Sequence, residues 1–206
     1  MASSLNREKL ARAARALNAH SGHAALPALI LMTDEKRVPD PVAAADALPR
    51  GSAIILRHTN ARARAALGRR LGEVARARGL LLLVAGDAQL AADISAHGLH
   101  LPEARAREAA HWRAFRPSWL ITAAAHSLRG LMTARIAGAD AALLAPVFPT
   151  TSHPERAALG VLRTRLLAAR AGIPVYALGG INAQTIARLK DSGLAGIAAI
   201  DGLLPD

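Results

Sequence analysis

The chain has 206 residues, 52% of them hydrophobic, with a formal net charge of +11 and no cysteine. Such a length holds one domain with a full core, and the apolar share excludes a disordered chain. Disulfides, thiolate catalysis and cysteine-bound metals are excluded as well, and no apolar run approaches the roughly 18 residues of a membrane span.

The opening segment, MASSLNREKLARAARALNAH, lacks the apolar core of a secretory signal, so a cytoplasmic protein is expected. It is Arg-rich and amphipathic, as a transit peptide can be, but Glu8 favours an ordinary helix over Asn6–His20. Residues 1–25 are read as a helical extension, expected to cover the bottom of the structure that follows.

Apolar runs of strand length then alternate with longer segments of helical period. The strands expected are Ala28–Met32, Ala53–Leu56, Leu80–Ala85, Gly98–Leu101, Trp119–Ala123, Ala141–Ala145, Val175–Leu178 and Gly196–Ile200. Most are apolar throughout, as strands buried on both faces should be. Helices are expected over Pro41–Leu48, Ala61–Arg78, Ala88–His97, Arg105–Phe115, Leu128–Ala137, Val161–Ala171 and Ala183–Ser192. Gly79, Gly138, Gly172 and Gly193 stand where helices close. The chain stops at Leu203-Leu204-Pro205-Asp206, so the helix after the eighth strand is missing or vestigial. This rhythm predicts a compact (βα)8 TIM barrel in a single domain over 1–206, with the barrel itself over 28–203. An open doubly wound sheet is the alternative. Thr33-Asp34-Glu35 after the first strand is no Gly-rich fingerprint, which argues against a dinucleotide-binding fold.

In such a barrel the loops leaving the strands carry the active site, and those after the last two strands often hold a phosphate. Gly179-Gly180-Ile181-Asn182 fits that role: two glycines allow close backbone approach, and Asn182 can cap a following helix whose N–H groups favour an oxyanion. The loop Pro149–His153 adds the hydroxyls of Thr150, Thr151 and Ser152 and the imidazole of His153. His126 follows strand five and has the side chain suited to moving protons near neutrality. Arg57 ends strand two and can grip a phosphate bidentately. His100, between Leu99 and Leu101, reads as a satisfied, partly buried histidine. Asp34, Asp87, Glu103 and Asp201 lie at strand ends, with no spacing that marks a metal pair. The positive charge is spread along helices and few aromatic residues are available for base stacking, so a solvated basic surface and no nucleic-acid partner are expected. A milder role for the charge is attraction of anionic substrates.

Over residues 28–203 the chain resembles the thiamine phosphate synthase/TenI family of (βα)8 barrels. The elements that carry the likeness are Gly98-Leu99-His100-Leu101, Ala125-His126-Ser127, Gly138-Ala139-Asp140, Pro146-Val147-Phe148-Pro149-Thr150-Thr151 and Pro174-Val175-Tyr176-Ala177-Leu178-Gly179-Gly180-Ile181-Asn182. The family's synthases join a pyrimidine diphosphate to a thiazole phosphate, with Mg2+ on the leaving diphosphate. The resemblance implies a thiazole phosphate on Gly179, Gly180 and the backbone near Ile200 and Asp201. It implies substrate or diphosphate contacts from Arg57, Thr150, Ser152 and His153.

The departures are specific. The family's diphosphate lysine is Thr59, and its Asn-Asp pair after strand three falls on Ala85-Gly86. The second metal aspartate falls near Arg105, the serine of strand five is Ala124, and the lysine after the Thr-rich loop is His153. The serine of the last phosphate loop is Asp201. TenI-type members isomerise a thiazole carboxylate phosphate without metal, and their catalytic histidine matches His126. The resemblance therefore implies a TenI-like thiazole tautomerase that takes a phosphorylated thiazole-like molecule, with no cofactor and no membrane partner. A diverged synthase using Mg2+ and a non-catalytic phosphometabolite-binding barrel are the alternatives. A homodimer is possible for any of them.

Overall fold

The computed structural model describes residues 2–150 and 157–204. Eight parallel strands close into a barrel in sequence order: β1 (Leu29–Met32), β2 (Ala53–Leu56), β3 (Leu81–Ala85), β4 (Gly98–Leu101), β5 (Leu120–Ala125), β6 (Ala141–Leu144), β7 (Val175–Ala177) and β8 (Gly196–Ala199). The first and last strands pair in parallel, Leu29 with Ile197 and Leu31 with Ala199, which closes the ring. Six of the eight are buried at every position, which is why they lack apolar–polar alternation.

The helices are α1 (Ala2–Ser21), α2 (Pro41–Asp46), α3 (Ala61–Arg78), α4 (Ala88–Asp93), α5 (Ala109–Phe115), α6 (Leu128–Ile136) and α7 (Gly160–Ala171). Side chains at strand-to-helix junctions start several of them. Asp40, Asn60, Asp87 and Ser127 each accept a backbone N–H at a helix start. No described helix is long and apolar enough to cross a membrane.

Three local expectations are corrected. The helix expected over Ala183–Ser192 is only a 3-10 turn, Ile186–Leu189. Asn182 Oδ1 takes the amides of Gln184 and Thr185 as a helix cap does, but the bonds that follow, Arg188 N to Thr185 O and Lys190 N to Ala187 O, span three residues rather than four, so the segment winds as a 3-10 turn. The segment expected to be helical from Arg105 begins as a 3-10 helix, Glu103–Glu108, before α5. The helix expected to end at His97 stops at Asp93, where Ser95 turns the chain with a positive φ of 53°.

The N-terminal helix does not lie under the barrel. It runs along the outside, against β8 and β1. Arg7 near its start reaches Leu204 O beyond the C-terminal end of β8, while Asn18 near its end donates to Ala195 O just before β8 begins. It is thus antiparallel to β8, as an outer-ring helix is. Leu10, Ala11, Ala14 and Leu17 form its buried stripe. Beyond β8 the described chain has only a 3-10 turn, Asp201–Leu203. The outer face that an eighth helix would cover is covered by α1.

Candidate active site at the C-terminal mouth

A cavity of about 650 Å3 opens at the C-terminal ends of the strands. Every strand or the loop after it contributes to its wall, from Met32 at the end of β1 to Gly202 after β8. Its floor is largely apolar, with Met32, Ala124, Leu143 and Ala199.

His126 stands where β5 gives way to α6. Its Nδ1 lies 2.7 Å from Ala145 O. A carbonyl only accepts, so Nδ1 carries the proton and Nε2 is the basic nitrogen of the neutral ring. Nε2 lies 3.8 Å from Glu103 Oε2, a contact that becomes an ion pair when the imidazole takes a second proton. Ser127 caps α6 through Gly130 N, so the residue beside the histidine is a structural cap.

Two strands further round the mouth, Gly179 and Gly180 form the turn after β7. Both have positive φ, 94° and 65°. A Cβ at Gly180 would stand 2.5 Å from Pro149 O, and one at Gly179 would stand 2.9 Å from Pro146 Cα. The glycines therefore let this loop lie directly against the loop after β6, and the same absence of side chains opens their backbone to the cavity. Ile200 and Asp201, on the loop after β8, line the adjacent wall. The Asp201 carboxylate is held in a fork by Arg37, from Nε at 2.8 Å and from Nη2. Its charge is thus met by a guanidinium within the mouth.

Arg57 and Thr150 also line the cavity. Arg57 Nη2 is paired with Asp34. Burial opposes ionisation of Asp34, but the amides of Lys36 and Arg37 and the two guanidiniums outweigh it and hold its carboxyl below the usual range. Ser152 and His153, together with Thr151, lie outside the described residues. His100 is 5% exposed and bonded through Nδ1 to Thr122 Oγ1 at 2.9 Å. Burial, with Arg57 nearby, pushes its imidazole down to about 4, so it is neutral near pH 7.

The family described as thiamine monophosphate synthase (TMP-TENI) matches residues 29–203, the whole of the barrel. The chain belongs to the thiamine monophosphate synthase/TenI family. Among relatives, it is similar to the putative thiamine-phosphate synthase 2 of Aquifex aeolicus, 36% identical over 60% of this chain and 66% of that protein. It is 30% identical to the thiamine-phosphate synthase of Pyrococcus furiosus over 85% of this chain and 86% of that one. The solved thiamine phosphate pyrophosphorylase from Pyrococcus furiosus superposes with a TM-score of 0.69 at 26% identity, covering 84% of each chain.

The TenI-family frame makes the altered loops informative. A magnesium ion of the family's synthases would need oxygen donors near Ala85-Gly86 and Arg105. Here Ala85 O accepts from Arg64 Nη2, and Gly86 O accepts from Arg105 Nη1 at 2.7 Å. Asp87 spends Oδ1 on the Leu90 amide at 2.9 Å, and its Oδ2 faces Arg64 Nη1 at 3.7 Å. Among the described residues no three His, Cys, Asp or Glu side chains are grouped to hold a metal. Oxygen donors already facing guanidiniums do not fit a dication.

Sequence reasoning missed Arg37, Arg64 and the Glu103–His126 contact. Arg64 sits near the start of an Arg-rich helix and looks there like any solvated arginine. Glu103 was visible as a strand-end carboxylate, but only closure of the barrel brings it to His126.

Proposed function

We propose that this chain is a TenI-like enzyme that binds a thiazole phosphate in the mouth of the barrel and isomerises its ring by proton transfer. The single observation that carries this is the setting of His126. Its Nδ1–H is engaged by Ala145 O, Nε2 is left as the base, and Glu103 stands close enough to complement the imidazolium that forms. One imidazole can then take a proton from one ring position and return it at another, with no change of oxidation state. The glycine turn after β7 suits the phosphate, because its backbone borders the cavity without side chains. The oxygen donors near β3 favour a reaction that needs no metal.

A second reading is a diverged synthase, joining a pyrimidine diphosphate to the thiazole phosphate. The names of the relatives favour it, since those similar over most of this chain are thiamine-phosphate synthases. One assay separates the two. Purified chain is given the thiazole carboxylate phosphate tautomer in one reaction, and pyrimidine diphosphate with thiazole phosphate and Mg2+ in another. Conversion in the first alone is the expected result. Coupled product that depends on Mg2+ would select the synthase.

A further inference from the structure

We propose that His58 is a second catalytic group of the mouth, whose Nε2–H donates a hydrogen bond to the negative charge the substrate carries once His126 has taken a proton. This role deepens the tautomerase reading and rests on it. His58 follows β2 and lines the cavity. Its Nδ1 lies 3.0 Å from the hydroxyl of Thr33, a fully buried residue just after β1. That hydroxyl oxygen already accepts the Arg57 amide at 3.0 Å. Among the described residues, the one acceptor for its hydrogen is His58 Nδ1. Buried hydroxyls use their hydrogen, so Nδ1 is the bare nitrogen and the neutral ring carries its proton on Nε2. Among the described residues Nε2 meets no partner, yet it is not buried, so its N–H is open to a ligand in the cavity. Burial, with Arg64 and Arg57 nearby, outweighs Glu35 and Asp34 and holds the imidazole below its ordinary range.

The two imidazoles are thus set in opposite tautomers. His126 gives its Nδ1–H to Ala145 O and offers a basic Nε2, whereas His58 turns its bare Nδ1 to Thr33 and offers an Nε2–H. In the ring order β2 and β5 stand three strands apart, so base and donor approach a ligand from different sides. The loop that carries His58 is fixed. Glu35 Oε1 accepts from the Thr59 amide at 2.6 Å, the Thr59 hydroxyl at 3.1 Å and the Asn60 amide at 3.2 Å. A donor held in this way needs no reorganisation when charge develops in front of it. The step balances without a further reactant. His126 Nε2 removes a proton, and the electron pair of the broken C–H bond passes into the conjugated ring and carboxylate. His58 keeps its own proton and shares it with that charge as a hydrogen bond. His126 then returns its proton to another ring position, and both histidines end as they began.

Two measurements on the full chain test this: the histidine tautomers by 15N NMR, and steady-state conversion of the thiazole carboxylate phosphate tautomer in chelator. The free wild type should show His58 with its proton on Nε2, and Thr33→Val should let the Nδ1–H form appear. His58→Phe should lower kcat by about 100-fold with KM changed less than about threefold, because the bond is made to charge that develops only in the reaction. His58→Gln keeps an amide N–H near the position of Nε2 and should recover about tenfold or more of that loss. An Nδ1–H tautomer in the wild type, an unchanged kcat in His58→Phe, or a loss confined to KM overturns the role of His58 and leaves His126 as the base. A wild type that converts no thiazole at all sinks the tautomerase reading itself, and the role of His58 with it.

Discussion

Single residues in the family motifs divide into those that face the cavity and those that hold the frame. Asp140 of Gly138-Ala139-Asp140 belongs to the frame: its carboxylate accepts from Ile121 N at 2.7 Å and pairs with Arg113, which pins the start of β5. His100 also holds the frame, as the sequence suggested from its place between two leucines. Gly180 does both, and its steric role gives a prediction. Gly180→Ala sets a Cβ 2.5 Å from Pro149 O at a φ of 65°, so it should destabilise the fold by about 1–3 kcal/mol, measured by denaturant unfolding. His100 predicts a pH dependence. Its folded value of about 4 lies below the ordinary 6.5, so the unfolded chain binds the extra proton first as pH falls. Stability from this group is therefore intact above about pH 6.5 and declines toward pH 4, by about 2 kcal/mol at pH 5. His100→Gln should flatten that part of the curve in denaturant unfolding at pH 5 and pH 7, and an unchanged slope would contradict the assignment.

Among the elements, the strands were legible because a doubly buried strand writes an apolar run bounded by breakers. Every expected strand is found within two residues of its ends, and α3 over its full length. The segment after β7 was not legible. Its composition allows a helix and Asn182 caps its start, but the bonds beyond the cap close over three residues, and Asp191 turns the chain at a φ of 55°. Phosphate binding there would rest on the turn's backbone, with little help from a helix dipole. The place of α1 was also hidden, because an amphipathic stripe says that a helix is covered without saying by what. In the outer ring, Leu10 is fully buried against the strands and the 3-10 turns. Leu10→Ala should cost about 2–5 kcal/mol, as in a barrel core. A change below about 0.5 kcal/mol in thermal or chemical unfolding would mean that α1 is a dispensable extension.

For the whole molecule, closure brings together what is scattered along the chain: Arg37 and Asp201 are 164 positions apart, and Arg57 and Asp34 are 23 apart. Sequence spacing alone could not pair them, so Asp201 stood in the sequence only as a carboxylate at a strand end. The net charge of +11 does not come from the mouth: Arg37, Arg57 and Arg64 line it, but each faces a carboxylate, of Asp201, Asp34 and Asp87. The central claim is that His126 moves a proton on a thiazole phosphate without metal. Its most direct test is the rate of thiazole tautomer conversion in chelator, for the wild-type chain and for His126→Gln. The account predicts that chelator leaves the wild-type rate unchanged and that His126→Gln lowers it by about 100-fold or more. Equal rates for the two proteins, or a wild-type rate abolished by chelator, would contradict it.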